Sequence, residues 1–447
     1  MLTFTPSCLR IAASVVLLHL AALSPAPALA QPREAAGPAP DFVIYQLKRG
    51  ENLYTIAERY LDRIESYRTV QRLNRIADPR AVPVGTRLRI PTSILRAEPL
   101  TARIAAIRGT VRLQRMGQAF DAKVGIDLPQ GTVIETGQDG FISLAMPNGS
   151  RTSLPTLSTL TIVHLRRFVL TQSIDYDFTV TAGKVETKAA PLGSGNGLFR
   201  IRTPRAVAAV RGTQFRVGVQ GVNSLAEVLE GTVAAGASER ASQPVERGFG
   251  AVIADGRVSR EALLAPPALL TPGKMQVDPL VTLAFEPVAG ASGYHLQIAT
   301  DASFADVIAE ARAPAPAFAV AGIPNGGLFV RASAISGSGL EGMAQTYAMR
   351  RVLTGLGASA AADADRLTFK WSGTGDGRRI YRFQLARDET GAGLIVDEPG
   401  LVADGISLRA LAPGTYYWRV AVRQFAGDQE SENWLPFEKI IIATPEN

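Results

Sequence analysis

The sequence has very few of the side chains that many enzymes and metal sites depend on. It contains one cysteine and three histidines in 447 residues, and Cys8 and His19 lie in the first 30 residues. Residues 31–447 therefore supply no thiol, which excludes a cysteine nucleophile, a cysteine-based zinc site and a disulfide there. A serine–histidine–aspartate triad would depend on His164 or His295 alone.

Long apolar runs and lysine are also scarce. No run of about 18 apolar residues is present, and the mean hydropathy is only +0.10, which argues against a polytopic membrane protein. Of the 47 basic residues only 7 are lysines, and the arginines are scattered, which argues against a nucleic-acid partner. The net charge of +7 has two interpretations: a compositional bias toward arginine, or attraction to anionic envelope polymers.

The amino terminus has the pattern of a secretory signal peptide. Arg10 precedes an apolar stretch from Ile11 to Leu23, and Ala28-Leu29-Ala30 supplies the small residues of a cleavage site. Cys8 precedes the apolar stretch, whereas a lipoprotein cysteine follows it, so we expect no lipid anchor. The pattern predicts a bacterial protein exported to the periplasm or secreted, cleaved after Ala30, with no later membrane span and with a linker over residues 31–41.

Residues 42–95 predict a small βααβ module. A strand pattern around Val43 is followed by Asn52 as a helix N-cap, by two amphipathic helices and by a closing strand near Ile90. The ordered residues Gly50, Leu53, Ile56-Ala57, Asn74, Gly85 and Ile90-Pro91 resemble the LysM family of cell-wall modules. The usual Asp-Thr of that family is replaced by Glu51-Asn52.

The LysM resemblance implies binding of N-acetylglucosamine glycans, notably peptidoglycan, in a shallow groove between two loops. The site candidates are Gly50, Glu51, Asn52, Leu53 and Tyr54 in the first loop and Ile76, Ala77, Asp78 and Pro79 in the second. Such sites bind sugar through amide and hydroxyl hydrogen bonds and apolar contacts, so no cofactor or metal is expected. For residues such as Gly50 and Leu53 the alternative is a role in the turn or the core.

Residues 100–260 read as short strands punctuated by glycine, which predicts a β-rich domain. The run from Phe199 to Val217, with Thr203-Pro204 and Arg211-Gly212-Thr213, and the later Leu229-Glu230-Gly231 are very similar to the FecR family of periplasmic domains. We interpret Thr203, Pro204, Arg211, Gly212 and Thr213 as structural, with Gly212 at positive φ in a tight turn; the alternative is a ligand-contacting loop. His164 has no acidic neighbour in sequence and is expected to be structural.

Two further modules, residues 270–352 and 355–445, are copies of one another. Tyr294-His295-Leu296-Gln297 corresponds to Tyr381-Arg382-Phe383-Gln384, and Gly326 to Gly414, at nearly the same offset. Their length and strand rhythm resemble fibronectin type III-like β-sandwiches. Because His295 is replaced by Arg382 in the second copy, we expect His295 on the surface, whereas Trp418 is expected in the core.

These patterns predict a mainly β, non-catalytic, exported cell-envelope protein. It would bind peptidoglycan through LysM and present the FecR-like and fibronectin-like domains to a protein or polymer. We expect separate module cores joined by proline- and alanine-rich segments, including Leu264 to Gly273. The alternative function is an extracytoplasmic sensor in a FecR-type signalling system.

Overall fold

The computed structural model describes residues 42–191, 197–210, 212–362, 366–375, 377–409, 411–426 and 429–443. The expected signal peptide, the linker over 31–41 and Arg211 lie outside these residues. Within them the chain forms two α-helices and many short strands, so the expectation of a mainly β fold is confirmed. No helix in the described ranges has the length and apolar composition needed to cross a membrane.

The first module has the predicted βααβ order. Its elements are β1 (Phe42–Gln46), α1 (Leu53–Tyr60), α2 (Tyr67–Asn74) and β2 (Arg87–Pro91). Strands β1 and β2 pair antiparallel, and Leu53, Ile56 and Val70 face a core shared with Ile90. Helix α2 is followed by Arg75 as its C-cap, and the φ of +53° at this residue reverses the direction of the chain.

The central part of the chain is a large β-sandwich. Its strands are β3 (Ala97–Pro99), β4 (Ala102–Arg108), β5 (Val111–Arg115), β6 (Gln118–Phe120), β7 (Asp127–Leu128), β8 (Thr132–Thr136), β9 (Phe141–Ala145), β10 (Arg151–Leu154), β11 (Thr159–Phe168), β12 (Ile174–Ala182), β13 (Lys184–Lys188), β14 (Leu198–Arg202), β15 (Val207–Val210), β16 (Gln214–Gln220), β17 (Asn223–Glu230), β18 (Thr232–Gly236), β19 (Gln243–Glu246), β20 (Phe249–Ala254) and β21 (Arg257–Ala262).

These strands form two sheets that enclose one apolar core. One sheet has the order β21-β20-β17-β16-β13-β10-β9-β4-β7, and the other has the order β19-β18-β15-β14-β12-β11-β8-β5-β6, with β3 added to β11. Strands β12 and β14 pair parallel. Alternate side chains of both sheets, including Ile142, Phe178 and Phe215, meet in the core. The opposite face of the first sheet carries Lys184, Glu186 and Arg216.

The last part of the chain forms two smaller sandwiches. The first contains β22 (Val281–Ala284), β23 (Ala291–Ala299), β24 (Val307–Ala313), β25 (Ala317–Val320), β26 (Gly326–Ser336) and β27 (Glu341–Arg351). The second contains β28 (Gly357–Ala362), β29 (Arg366–Ser372), β30 (Arg378–Ala386), β31 (Leu394–Leu401), β32 (Gly405–Arg409), β33 (Gly414–Ala426), β34 (Gln429–Trp434) and β35 (Glu438–Ile442).

Both small sandwiches repeat one central arrangement of strands. The first pairs β22 with β25 against β24-β23-β26-β27, and the second sets β28-β29-β32 against β31-β30-β33-β34, with β35 on β33. In the second, the Tyr416 hydroxyl donates to the Ala412 carbonyl at 2.9 Å, the tyrosine corner that characterises such sandwiches. Trp371 and Trp418 lie in its core, so the core prediction for Trp418 is confirmed.

The expectation of separate cores joined by free linkers is wrong at two places. Phe168, at the end of β11, is fully buried in the core of the first module. The segment Leu264 to Gly273 also packs on the first small sandwich. Met343 N donates to Leu264 O at 2.9 Å, and Leu269 is buried in the core of that sandwich. Composition alone suggested a linker because proline and alanine occur equally in packed extended segments.

Candidate functional site

The structure brings the two predicted glycan-binding loops together at one end of the first module. The amide of Leu53, at the start of α1, donates to the Pro79 carbonyl in the second loop at 3.0 Å. The C-terminal end of α1 lies at the junction with the central sandwich, where the amide of Arg96, next to β3, donates to the Tyr60 carbonyl at 2.7 Å. The loops therefore form a surface at the end remote from that junction.

The first loop is held by its own hydrogen bonds. Asn52 Oδ1 accepts from the amides of Tyr54 (2.9 Å) and Thr55 (3.0 Å), while Thr55 Oγ1 accepts from Asn52 N at 2.9 Å. This reciprocal capping box satisfies amides at the start of α1, as the N-cap prediction required. The Asn52 side chain is thus engaged in the helix cap.

Two other members of the first loop also have structural contacts. Leu53 is 1% exposed, so its side chain belongs to the core and does not line the groove. Glu51 accepts from the Tyr45 hydroxyl at 2.9 Å and from Lys48 N at 2.9 Å. Burial and the neighbouring Glu51 carboxylate raise the pKa of Tyr45 above its usual range. Gly50 is exposed, with φ of +85°.

The second loop presents Ala77 and Asp78 to solvent. Gln71 Nε2, from α2, donates to the carbonyls of Ile76 (3.0 Å) and Ala77 (3.2 Å), and Asp78 Oδ1 accepts from Arg80 N at 2.8 Å. These bonds fix the course of the loop. Pro79 contributes its carbonyl to the contact with Leu53.

An aromatic pair beside the groove was missed by the sequence reasoning. The rings of Tyr54 and Tyr67 have centroids 4.4 Å apart, and the Arg80 guanidinium lies 5.9 Å from the Tyr54 centroid. Both tyrosines are partly exposed. Tyr67 was not among the groove candidates, because its proximity to Tyr54 depends on how the two helices pack.

The described residues of the FecR-like motif, Thr203, Pro204, Gly212 and Thr213, lie at two turns of the central sandwich. Thr203 Oγ1 accepts from Ala206 N at 2.9 Å and lies 2.7 Å from Ser224 Oγ, so it closes the turn that contains Pro204. Gly212 has φ of +67°, and a Cβ at this position would lie 3.2 Å from Pro191 Cα. Thr213 is buried, and its carbonyl accepts from Ala189 N at 2.8 Å. The role of Arg211 stays a prediction.

Comparison with protein-family models gives two matches. Residues 45–91 match the LysM domain, and residues 132–234 match the FecR protein family. The chain carries a LysM module, which is the first module, and a FecR module; the second name is used below for the whole central sandwich that contains residues 132–234. Both families consist of binding and regulatory domains typical of proteins outside the cytoplasm. No curated protein matches the chain.

Solved structures give weaker similarities. Two structures of a candidate anti-sigma factor from Parabacteroides distasonis ATCC 8503 align at 14% and 13% identity, with TM-scores of 0.24 and 0.25; each covers 29% of this chain and 59% of that chain. The chain thus spans little more than half of that protein. A two-domain fibronectin type III segment of chicken tenascin aligns at 18% identity and a TM-score of 0.20, covering 40% of this chain and 99% of that one.

His164 has an acidic partner that its sequence neighbourhood did not reveal. In the FecR module its Nε2 lies 3.0 Å from Asp175 Oδ2 on the adjacent strand β12. Asp175 is fully buried and also pairs with Arg200 at 2.7 Å and with Arg166 at 2.7 Å. Burial opposes the charge of Asp175, but His164 and the arginines outweigh it and hold its pKa below its usual value.

The prediction that His295 lies on the surface is wrong. His295 is 4% exposed, with Nδ1 3.0 Å from Glu341 Oε1 and Nε2 3.0 Å from Glu310 Oε1. The prediction assumed that both sandwich copies have the same surroundings. Arg382, its counterpart, is half-exposed and pairs with Asp397 at 2.6 Å, whereas the face that carries His295 is covered by the FecR module.

The covered face forms a buried polar network between the two modules. Glu186 of the FecR module pairs with Arg331 of the first small sandwich at 2.8 Å and with Arg216 at 3.1 Å. Burial raises the pKa of Glu186, but the two guanidinium charges outweigh it and lower that pKa to about 2. Lys184 bridges Glu227 (2.7 Å) and Glu341 (3.3 Å). Buried ion pairs therefore cross the contact between the two modules.

None of the described residues forms a cluster of three or more histidine, cysteine, aspartate or glutamate side chains that could hold a metal ion. The arrangement that the described residues offer for chemistry is therefore a pair of loops suited to hydrogen bonding and a set of paired charges between modules.

Proposed function

We propose that this protein is a non-catalytic, exported cell-envelope protein that binds N-acetylglucosamine glycans, notably peptidoglycan, through its LysM module. The observation that carries the proposal is the pairing of the two loops, fixed by the Leu53 N to Pro79 O bond, in a region that matches the LysM domain. The proposed export is supported by the pattern of residues 1–30 and by the families of both modules.

The groove suits a neutral acetamido sugar. Ala77 offers a small exposed surface, and Tyr54 offers an aromatic ring that an apolar sugar face could contact. Asp78 adds a carboxylate that can accept from sugar hydroxyls, and backbone groups exposed around Gly50 can bond an acetamido group. A neutral ligand also predicts only a modest dependence of binding on salt.

The FecR module and the small sandwiches are proposed to present a surface for an envelope protein or polymer. The buried charges between the FecR module and the first small sandwich support a rigid arrangement, since removing one partner of a buried ion pair typically costs about 3–5 kcal/mol. A rigid arrangement would display that surface at a fixed distance from the glycan.

The proposed groove is tested with the full chain and chitopentaose, using cellopentaose as the ligand without acetamido groups. We expect saturable binding of chitopentaose only, and about a tenfold loss of affinity in Tyr54→Ala/Asp78→Ala, equivalent to roughly 1.4 kcal/mol. Ile64→Ala is the matched control, because Ile64 is exposed at the far end of the helices. Equal affinity in the groove variant, or equal binding of both sugars, would refute this site.

A second function, extracytoplasmic sensing, is favoured by the FecR match over residues 132–234. Transcript profiling of a strain that lacks the chain distinguishes the two. A sensor predicts a defined set of genes whose expression changes and returns when the wild-type chain is restored. A binding protein of the wall predicts loss of the chain from sedimented peptidoglycan on groove mutation, without such a gene set.

A further inference from the structure

A cleft of about 590 Å³ lies between the FecR module and the first small sandwich. We call it the interdomain cleft; its walls are the outward faces of β10, β13 and β16 on one side and of β23, β26 and β27 on the other. Clefts of about 300–1,000 Å³ accommodate small organic molecules. The cleft belongs to neither the LysM groove nor the FecR motif.

In the inner part of the cleft, the carboxylates are paired with positively charged side chains. Glu186 and Glu341 are its carboxylates, and they are engaged by Arg216, Arg331, Lys184 and His295 through the contacts described above. These side chains are at least four-fifths buried. The inner wall therefore needs no ligand to balance its charge.

The rim of the cleft has a different charge balance. It carries Arg151, Lys188 and Arg247, and among the described residues none of the three forms an ion pair with a carboxylate. Within the part of the chain that the structure describes, the Arg151 side chain donates only to the neutral Ser303 hydroxyl, at 3.2 Å. The remaining carboxylate of the lining, Glu230, lies on β17, two strands from Lys188, which corresponds to about 10 Å at ordinary strand spacing.

Two of these cations stand directly opposite one another. Arg151 on β10 and Lys188 on β13 are register partners, and like charges at opposing positions of an antiparallel pair destabilise the sheet. A bound anion between them would remove that repulsion. A guanidinium and an ammonium together suit an oxyanion, since the guanidinium can bond two oxygens at once and the ammonium supplies a further charge.

We propose that the interdomain cleft binds a small oxyanion, held at the rim by Arg151 and Lys188. Carboxylate and phosphate share the required chemistry. Because the walls come from two modules, an occupied cleft also stabilises the contact between the modules, by an amount that grows with the logarithm of one plus the ratio of ligand concentration to Kd.

The test uses the full chain, isothermal titration calorimetry and two probes at constant ionic strength, glutarate and inorganic phosphate. We expect saturable binding of at least one probe with a stoichiometry of one, and about a tenfold weaker affinity in Arg151→Gln/Lys188→Gln. The probe that binds identifies the source of the oxyanion. Without ligand, this variant should melt at the same or a slightly higher temperature, because the opposed charges are gone.

Arg103→Gln/Lys123→Gln is the matched control, since it removes the same two charge types from exposed sites elsewhere in the FecR module. Its affinity should equal that of the wild type. No saturable binding of either probe at millimolar concentration, or an equal loss in both double variants, would overturn the proposal. The glycan assay is independent of it, because the two sites share no residue.

Discussion

His295 has a carboxylate oxygen within hydrogen-bonding distance of each ring nitrogen. A neutral imidazole can donate from only one nitrogen, so contact with Glu310 and Glu341 together favours the doubly protonated ring. Burial opposes the charged form, but the Glu341 charge and the bonds to both carboxylates outweigh it, and the pKa of His295 is raised. Lys184 and Arg216 also face Glu341 and limit the shift.

The raised pKa of His295 predicts that the stability of the folded chain depends on pH. A group whose pKa is higher in the folded state contributes fully below its unfolded pKa, about 6.5, and loses that contribution as pH rises through the folded value. The melting temperature should therefore fall as the pH rises above about 6.5, and His295→Gln should show a flatter profile. The measurement is calorimetry at several pH values.

His164→Gln is the control for the His295 prediction, because it leaves the contact between modules intact. If His295→Gln does not give a folded chain, NMR titration of the wild-type His295 ring provides the second measurement. A melting profile as steep in His295→Gln as in the wild type, or a ring that titrates at or below about pH 6.5, would contradict the proposed protonated state.

At the scale of one element, the first turn of α1 is stabilised by its cap. This turn contains no acidic side chain that would favour the helix dipole, so Asn52 provides the main local stabilisation. We expect Asn52→Ala to cost about 1 kcal/mol, whereas Asn52→Asp places a carboxylate oxygen where the amide oxygen accepts and should cost much less.

The effect of Asn52→Ala on α1 is measured by hydrogen exchange, followed by mass spectrometry on a peptide spanning residues 53–60. A loss of about 1 kcal/mol corresponds to roughly fivefold faster exchange where local opening controls it. The exchange of β9 should stay unchanged and serves as the internal control. Equal protection in Asn52→Ala and the wild type would show that the packing of Leu53 and Ile56, rather than the cap, maintains the helix.

At the scale of the whole molecule, the LysM module depends on a side chain from the FecR module. Phe168 is fully buried in the core cluster that also contains Leu61 and Leu95, although it belongs to β11. Phe168→Ala should cost about 3–5 kcal/mol and should expose the LysM module to exchange before the central sandwich. Val163→Ala is the control, since Val163 is exposed on the same strand.

The readout for Phe168 is exchange protection of residues 42–91 in the full chain. We also expect an isolated fragment of residues 42–95 to melt at a lower temperature than the same module in the full chain, because it lacks Phe168. Unchanged protection in Phe168→Ala would mean that the LysM core is complete without the FecR module, as separate module cores would require.

Local patterns in the sequence determined much of this protein. The apolar spacing in α1 and α2, the Asn52 cap, the turn at Gly212 and the duplicated strands each depend on residues close together in the chain, and the structure has them where the patterns indicated. Such features follow from backbone conformation and side-chain periodicity, which neighbouring residues specify.

The contacts between modules were decided only by the tertiary structure. Along β23, His295 points to the side opposite the apolar residues of its strand. The local pattern could not show that a sheet of the FecR module covers this polar side with Lys184, Glu186 and Arg216. The same holds for Phe168 in the LysM core and for the rim of the interdomain cleft. The ion pairs that cross between the modules join residues more than a hundred positions apart, and a local pattern carries no information about them.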